Sequence, residues 1–402
     1  MSVPIDLPLG ERIELLRRRR GMSRQVLASL VGYSSEWLRQ VERNERPVDR
    51  LSVLLRIAGV LQVNDIADFL GLHVEDGRAP DSGQVVSAPV REALHHSWVG
   101  ADGDAAERDG LADRVRHRLD ETVVAWRDSP RRYSRVLREL PALIEPVGQL
   151  ARADSPAGQV LFADVHRLAA VMLLQVGDHP LALMAIDRSM FAARLSRNTD
   201  TRAGCAVTLG SVLLRGGFPE KAREICLAAA AGVEHTIAQD RLGLALWGSL
   251  HLTAAEAAAA ASDHNLAMRL LDSARQAAEE LPDKPSEAVD GFGRAEVDVR
   301  LIEIEVRLGR IRQALRQAAR TEVTGRLSAG RLAQYRVTLT QAHVRNGDPV
   351  AAAFTLLQAE EACPEEIRFN PDARAALTEI LRRDDATVRH EVWGLARRTR
   401  LL

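Results

Sequence analysis

Residues 23–44, SRQVLASLVGYSSEWLRQVERN, decide the fold of the N-terminal part of the chain. Ser23 is a natural N-cap for a helix, and Gly32 lies where a tight turn needs a residue that tolerates positive φ. Leu38 and Val41, three positions apart, point from a second helix towards the core. The stretch therefore predicts two short helices joined by a tight turn.

The first of these helices is expected to bury one face. Leu27 and Leu30 form its apolar side, and Ala28 is small where the two helices should cross closely. Either Ser34 or Ser35 can cap the helix that follows. This combination of small, capping and aliphatic residues is more than an isolated amphipathic helix requires.

The spacing of these residues resembles the helix-turn-helix domain of the xenobiotic-response-element (XRE, Cro/CI-type) regulators. That family has a small residue, Gly four positions later, aliphatic residues six and nine positions beyond the Gly, and then Glu. The matching residues here are Ala28, Gly32, Leu38, Val41 and Glu42. The resemblance covers residues 9–71 and implies an all-α, five-helix domain over residues 1–73. It also implies double-stranded DNA as the partner, and homodimers are common in the family.

The resemblance implies roles for individual residues. The family's basic residue on the first helix pairs with the Glu that ends the third, which implies a structural ion pair between Arg17 and Glu42. The third helix, near 34–43, is the expected DNA reader, in which Gln40 suits adenine and Glu36 can accept a hydrogen bond from cytosine. The residues assigned to DNA contact are Arg24, Ser34, Ser35, Glu36, Arg39, Gln40, Arg43, Arg46 and Arg50.

Several positions around the reader helix leave two interpretations open. Arg24 stands where the family usually has Gln, and it keeps a phosphate contact available. Arg18–Arg20 form either a solvated face or a phosphate-contacting one, and Trp37 either packs at the helix edge, which we favour, or stacks on a base. Residues 1–70 hold 11 arginines against 9 acidic residues. This excess is modest for a DNA-binding domain, so binding should need two copies.

Composition indicates an ordinary globular protein. The chain has 402 residues, is 46% apolar and 27% charged, and carries a net charge of −1. Its length predicts two or more domains, and its balanced charge restricts nucleic-acid binding to a local surface. We expect no signal peptide, no stretch of membrane-spanning length and no disulfide framework from three cysteines, and hence a cytoplasmic protein. Almost all of the basic residues are Arg and not Lys. This bias is typical of GC-rich coding sequences, as in actinobacteria.

The remainder of the chain contains a predicted linker and an internal repeat. Residues 74–110 are rich in Gly, Asp, Pro and Ser, which predicts a linker with one short helix at 90–97. Residues 111–386 show helical periodicity, with turn anchors 40, 45, 47 and 38 residues apart. The anchors are Gly177, Gly217, Ser262, Gly309 and Gly347, and an alanine follows each by five positions, at Ala182, Ala222, Ala267, Ala314 and Ala352. Such a pattern indicates stacked helix hairpins.

These hairpins resemble tetratricopeptide repeats, best in residues 208–232. The spacing exceeds the family's ~34 residues, and its first aromatic residue and closing proline are mostly missing. The resemblance implies an α-solenoid of about six helix hairpins over residues 111–386, followed by a basic helix or tail at 387–402.

In tetratricopeptide domains the first helix of each hairpin faces the concave groove. The polar residues mapped to it are Asp164, Arg167, Ser211, Glu256, Glu296, Glu303, Gln334 and Gln341. An apolar floor with an acidic rim would suit a short peptide or small molecule that carries positive charge. The alternative is a solvated concave face that binds no ligand.

The two parts together predict a dimeric, sequence-specific transcriptional regulator whose repeats dimerise and sense an effector. The alternatives are an adaptor, or an antitoxin-like protein, whose repeats bind a protein partner. No phosphate loop, metalloprotease or nucleophile-elbow motif is present, so we expect neither an enzyme nor a bound cofactor or metal.

Overall fold

The computed structural model shows an all-α protein, as the sequence predicts. It describes residues 9–46, 48, 51–61, 82–96, 110–152, 155–237, 240–282, 291–323, 327–399 and 401. Within these ranges it contains 20 α-helices, one short 3₁₀ turn and no β-strand. The chain divides into two compact units, Met1–Pro80 and Asp81–Leu402.

The first unit contains four described helices. They are α1 (Leu9–Arg19), α2 (Arg24–Val31), α3 (Ser35–Glu42) and α4 (Leu51–Val60). The predicted fifth helix, residues 64–70, lies outside the described residues.

Capping groups set the bounds of α2 and α3. Ser23 Oγ accepts a hydrogen bond from Val26 N at 3.2 Å and begins α2, and Ser34 Oγ accepts one from Trp37 N at 3.1 Å and begins α3. Gly32 ends α2 with a φ of 83°. Each helix therefore has one orphan N–H satisfied by a side chain.

The core of the first unit joins all four helices. Ile13, Leu27, Leu38 and Ile57 are fully buried in it. The prediction for Leu30 was wrong, since its side chain is 55% exposed. Val31, one turn beyond Leu27, takes the inward position instead, because residues four apart share a helix face.

The second unit is a succession of packed helices. They are α5 (Ser82–His96), α6 (Leu111–Asp128), α7 (Arg132–Arg152), α8 (Pro156–Gln175), α9 (His179–Leu195), α10 (Thr199–Arg215), α11 (Pro219–Val233), α12 (Arg241–Ala260), α13 (His264–Glu279), α14 (Arg294–Arg307), α15 (Ile311–Ala318), α16 (Ala329–Asn346), α17 (Pro349–Ala362), α18 (Pro364–Phe369), α19 (Pro371–Arg383) and α20 (Arg389–Arg398). From α6 to α17, consecutive helices pack in pairs as hairpins.

The repeat anchors lie at the turns of five hairpins. All five have positive φ: Gly177, Gly217, Ser262, Gly309 and Gly347. The alanine five positions beyond each anchor is fully buried, at Ala182, Ala222, Ala267, Ala314 and Ala352. The repeat therefore marks real turns and real close helix contacts.

The segment predicted as a linker contains a packed helix. Helix α5 begins eight residues earlier than the expected 90–97, and Val90 and Leu94 are fully buried in the second unit. Arg91 Nη2 also bonds to Asp178 Oδ2 at 2.7 Å. Tertiary packing therefore outweighs the turn-forming composition of this stretch.

The C-terminal segment also packs. Val392 and Leu395 of α20 are buried in a core cluster with Leu377 and Ile380 of α19. Of the two predicted forms, a basic helix or a tail, the structure shows the helix, and it belongs to the second unit.

The expectation that no stretch reaches membrane-spanning length was wrong for α8. By length and composition alone, this helix of 20 residues could cross a membrane, and no other described helix could. The relevant window is 67% buried inside the unit, as in core helices of soluble proteins.

Residues that lie far apart in the sequence of the second unit contact each other. Tyr133 Oη donates a hydrogen bond to Glu366 Oε2 at 3.1 Å, and Arg132 Nη2 lies 3.5 Å from the same oxygen. Arg132 and Glu366 are both buried. Residues more than 230 positions apart therefore share one buried polar cluster.

Candidate nucleic-acid interface

Helix α3 has one buried side and one polar side. Leu38 and Val41 are buried behind it. Its outward residues, which we call the reading face, are Ser35, Glu36, Arg39, Gln40 and Arg43. Ser35, Glu36 and Arg43 are exposed, and Arg39 and Gln40 are half-buried. The helix thus presents hydroxyl, amide and charged groups to solvent.

A buried ion pair fixes the C-terminal end of α3 on the side that faces the core. Glu42 is 1% exposed, and its Oε1 accepts a hydrogen bond from Arg17 Nε at 2.5 Å. Arg17 Nη2 donates to Glu42 Oε2 at 3.2 Å, and Nη1 donates to the Met22 carbonyl at 2.8 Å. The pair implied by the family resemblance is therefore present, and it ties α1 to α3.

Arg24 belongs to the same cluster. Its Nε donates to Glu42 Oε2 at 2.5 Å, and its Nη2 donates to Glu14 Oε1 at 3.2 Å. The hydrogen bond with Glu42 raises the pKa of Arg24 above its ordinary value. Sequence reasoning assigned Arg24 to a phosphate and missed Glu14. The guanidinium is not free, although 37% of the side chain is exposed.

Glu36 is not a free hydrogen-bond acceptor. Arg39 Nε lies 3.0 Å from Glu36 Oε1 and 2.9 Å from Oε2, and Arg39 Nη2 lies 2.6 Å from Oε1. Hydrogen bonding from Arg39, followed by the charge of Arg39 and a hydrogen bond from Gln40, lowers the pKa of Glu36. The predicted hydrogen bond from cytosine to Glu36 would therefore have to compete with Arg39.

The remaining predicted contacts differ in their surroundings. Ser34 is the N-cap, so its oxygen already accepts the Trp37 N–H. Arg43 is exposed and lies 3.7 Å from Glu45, and Arg46 is also exposed. Arg50 lies outside the described residues.

Aromatic packing fixes Trp37. Its ring stacks on Tyr33 with centroids 4.1 Å apart and an interplanar angle of 23°. Both rings pack against the core of the first unit. This is the helix-edge position that we favoured over stacking on a base.

The loop after α3 is also tied back to α1. Asn44 adopts a φ of 56°, a left-handed conformation that Asn tolerates better than most residues other than Gly. Its Oδ1 accepts a hydrogen bond from Gly10 N at 3.0 Å. A Cβ at Gly10 would collide with the Val41 carbonyl, so this close approach needs Gly.

The second unit contains the predicted groove. Two adjoining cavities of about 160 and 550 Å³, here called the concave cavity, share Ser211, Arg300, Arg331 and Gln334. Six of the eight predicted groove residues line it: Ser211, Glu256, Glu296, Glu303, Gln334 and Gln341. Asp164 and Arg167 do not line it; their charged groups lie 3.9 Å apart.

Two arginines neutralise the expected acidic rim. Arg331 Nε lies 2.8 Å from Glu296 Oε2, and its Nη1 and Nη2 bond to Glu303 at 2.8 and 2.9 Å. Arg300 Nε bonds to Glu296 at 2.7 Å, and its Nη1 bonds to Glu256. The carboxylates are therefore paired, and a rim that attracts a cation was the wrong expectation.

The electrostatics of this network follow from burial and pairing. Burial alone would raise the pKa values of Glu256 and Glu296, but the charges of Arg300 and Arg331 outweigh it and lower both. The sequence contained a signal that we missed. Arg300 follows Glu296 by four positions and precedes Glu303 by three, so all three share one helix face.

No metal site is found in the part of the chain that the structure describes. There, no group of three or more His, Cys, Asp or Glu side chains could hold an ion. The three cysteines are buried and free.

Comparison with known proteins bears on the first unit. Residues 8–69 match a family model described as "Helix-turn-helix domain". The N-terminal end of the chain carries a helix-turn-helix domain. The presence of this domain supports the prediction that the protein is a DNA-binding transcriptional regulator. No curated protein matches the chain.

One similar solved structure is titled "Crystal Structure of Bacillus thuringiensis PlcR in complex with the peptide PapR7 and DNA". It is 11% identical, over 89% of this chain and 98% of that chain, with a TM-score of 0.28. A TM-score of this size is not evidence of a shared fold.

Proposed function

We propose that the protein is a sequence-specific DNA-binding regulator of the XRE (Cro/CI) type that reads DNA with α3. The observation that carries this proposal is the reading face, a polar helix face exposed on one side and braced by Leu38, Val41 and Glu42 on the other. A helix with a rigid back and exposed hydrogen-bonding groups is what major-groove readout requires.

The proposal includes a homodimer. Residues 1–70 carry only a small excess of arginine over acidic residues, so one copy offers few phosphate contacts. Two copies double those contacts and read two half-sites about one helical turn apart. The tetratricopeptide-like second unit would supply the dimer contacts.

The proposal also includes an effector for the second unit. The concave cavity, at about 550 Å³ in its larger part, has the size of a small-molecule or short-peptide site. Arg300 of α14 bonds to Glu256 of α12, and Arg331 of α16 bonds to Glu303 of α14. A ligand that competes for Arg300 would therefore shift the contacts between α12 and α14, and one that competes for Arg331 would shift those between α14 and α16. We propose that such a protein is cytoplasmic and has no catalytic activity.

The test of this function is DNA enrichment. The purified full chain would be incubated with fragmented genomic DNA from its own source, and the bound fragments would be sequenced. We expect a short inverted repeat upstream of genes, and a two-chain mass for the complex in mass photometry. An absence of any enriched sequence would reject the proposal. In a separate purification of the chain from its own source, a stoichiometric protein partner without DNA would favour the adaptor.

A further inference from the structure

We propose that Glu36 is a positioning residue that holds Arg39 to read a guanine; this inference rests on the DNA-binding function proposed above. Glu36 and Arg39 lie one turn apart on the exposed side of α3. Arg39 Nε and Nη2 both donate to Glu36, at 2.9 and 2.6 Å. The pair therefore fixes one edge of the guanidinium.

The other edge of the guanidinium remains for a ligand. No described residue forms a hydrogen bond with Arg39 Nη1, and 33% of the side chain is exposed. A planar guanidinium that presents two parallel N–H groups matches the O6 and N7 acceptors of guanine in the major groove. The chemical target is thus a guanine base edge, and not a phosphate alone.

Glu36 itself has little capacity left for a base. Both of its oxygens accept hydrogen bonds from Arg39, and Oε1 accepts two of them. Two of the five reading-face residues, Glu36 and Arg39, are therefore directly connected. An exposed ion pair of this kind adds little to stability, so its expected effect is on orientation and base choice.

Glu45 provides a matched control. Its Oε2 lies 3.7 Å from Arg39 Nη2, which is close enough for a charge effect but too long for a hydrogen bond. Glu36→Gln and Glu45→Gln remove the same charge near the same guanidinium. Only the first removes a carboxylate that is hydrogen-bonded to Arg39.

The experiment is selection from a random duplex DNA pool by the full chain and by Arg39→Ala, Glu36→Gln and Glu45→Gln. We expect the unsubstituted chain to prefer guanine at one position of each half-site by roughly 5- to 150-fold. Arg39→Ala should abolish that preference. Glu36→Gln should weaken the preference at the same position without lowering affinity for unrelated DNA. Glu45→Gln should leave the base preference unchanged.

Three other results would overturn the inference. If Glu36→Gln altered a different position from Arg39→Ala, Glu36 would read a base itself. If Arg39→Ala weakened all sequences equally, Arg39 would contact a phosphate. If the unsubstituted chain enriched no sequence, the proposed function would fail together with this inference, whereas the first two results would leave DNA binding intact.

Discussion

The carboxylate of Glu42 is almost fully buried, yet it accepts hydrogen bonds from two guanidinium groups, those of Arg17 and Arg24. Arg17 is buried, whereas Arg24 can reach solvent. Removing the carboxylate would therefore leave one buried cation without its partner. At the scale of single residues, this cluster fixes the position of the reading face.

We expect Glu42→Gln to lower the free energy of unfolding of the first unit by about 3–5 kcal/mol, because a buried charge loses its counter-charge. Hydrogen exchange of peptides from α1 and α3 would measure the loss. Arg17→Met/Glu42→Leu, which removes both charges, should lose less than the single variant. Equal protection in Glu42→Gln and the unsubstituted chain would show that the pair is not stabilising.

The pKa of His166 reports on the burial of this side chain in the second unit. Its ring is fully buried, and Nδ1 lies 2.9 Å from the Phe162 carbonyl. Burial lowers its pKa to about 4. The folded state therefore disfavours the proton that the unfolded state binds below about pH 6.5, and stability should fall as pH drops from 6.5 towards 4.

The size of this effect is on the order of 3 kcal/mol, since each pKa unit corresponds to about 1.4 kcal/mol. His166 ring carbon shifts in an NMR titration should stay constant between pH 8 and 5. His166→Phe should show a weaker dependence of the unfolding free energy on pH over this range. A ring that titrates near pH 6.5 would contradict the burial of His166.

At the scale of elements, small residues decide how closely helices approach. A Cβ at Gly210 in α10 would collide with Cys226 Sγ and come within 3.0 Å of Thr253. A Cβ at Gly232 in α11 would meet only Arg202, at 4.0 Å. Two helical glycines therefore differ in the space around them.

We expect Gly210→Ala to destabilise the second unit by about 1–3 kcal/mol through overpacking. Gly232→Ala should stabilise it by up to about 1 kcal/mol, because alanine favours the helix. Urea denaturation would measure both. Partial rescue of Gly210→Ala by Cys226→Ala would confirm the contact, and equal effects of the two glycine substitutions would refute the packing described here.

Elements with local signals could be predicted from the sequence, and contacts between distant elements could not. Ser23 and Gly32 fixed the bounds of α2 because capping depends on neighbouring atoms. Leu30 was misassigned because the helix phase depends on the position of α4, which the local pattern does not contain. The pairing of Arg331 with Glu296 joins two hairpins, and their register exists only in the folded unit.

At the scale of the whole molecule, the network of Glu256, Glu296, Glu303, Arg300 and Arg331 joins three helices around the concave cavity. The folded state lowers the pKa of Glu296, so it holds the charged form more strongly than the unfolded chain does. This contribution to stability is present above the ordinary glutamate pKa of about 4.3 and is lost as pH falls below it.

We expect Glu296→Gln to destabilise the second unit at pH 7 by about 3–5 kcal/mol, because both arginines lose a buried partner. Its unfolding free energy should also depend less on pH below pH 5 than that of the unsubstituted chain. Thermal unfolding between pH 7 and 3 would measure both effects. Glu224→Gln, on the exposed side of α11, is the matched control and should change neither.

The central claim is that the reading face binds DNA through base edges as well as phosphates. The most direct measurement is fluorescence anisotropy of the full chain with an enriched duplex and a scrambled duplex over a range of salt concentrations. We predict that log affinity falls linearly with log salt for both, by about 0.9 per phosphate contact, and that Ser35→Ala/Gln40→Ala weakens only binding to the enriched duplex. A salt slope near zero, or unchanged affinity in that variant, would contradict the account.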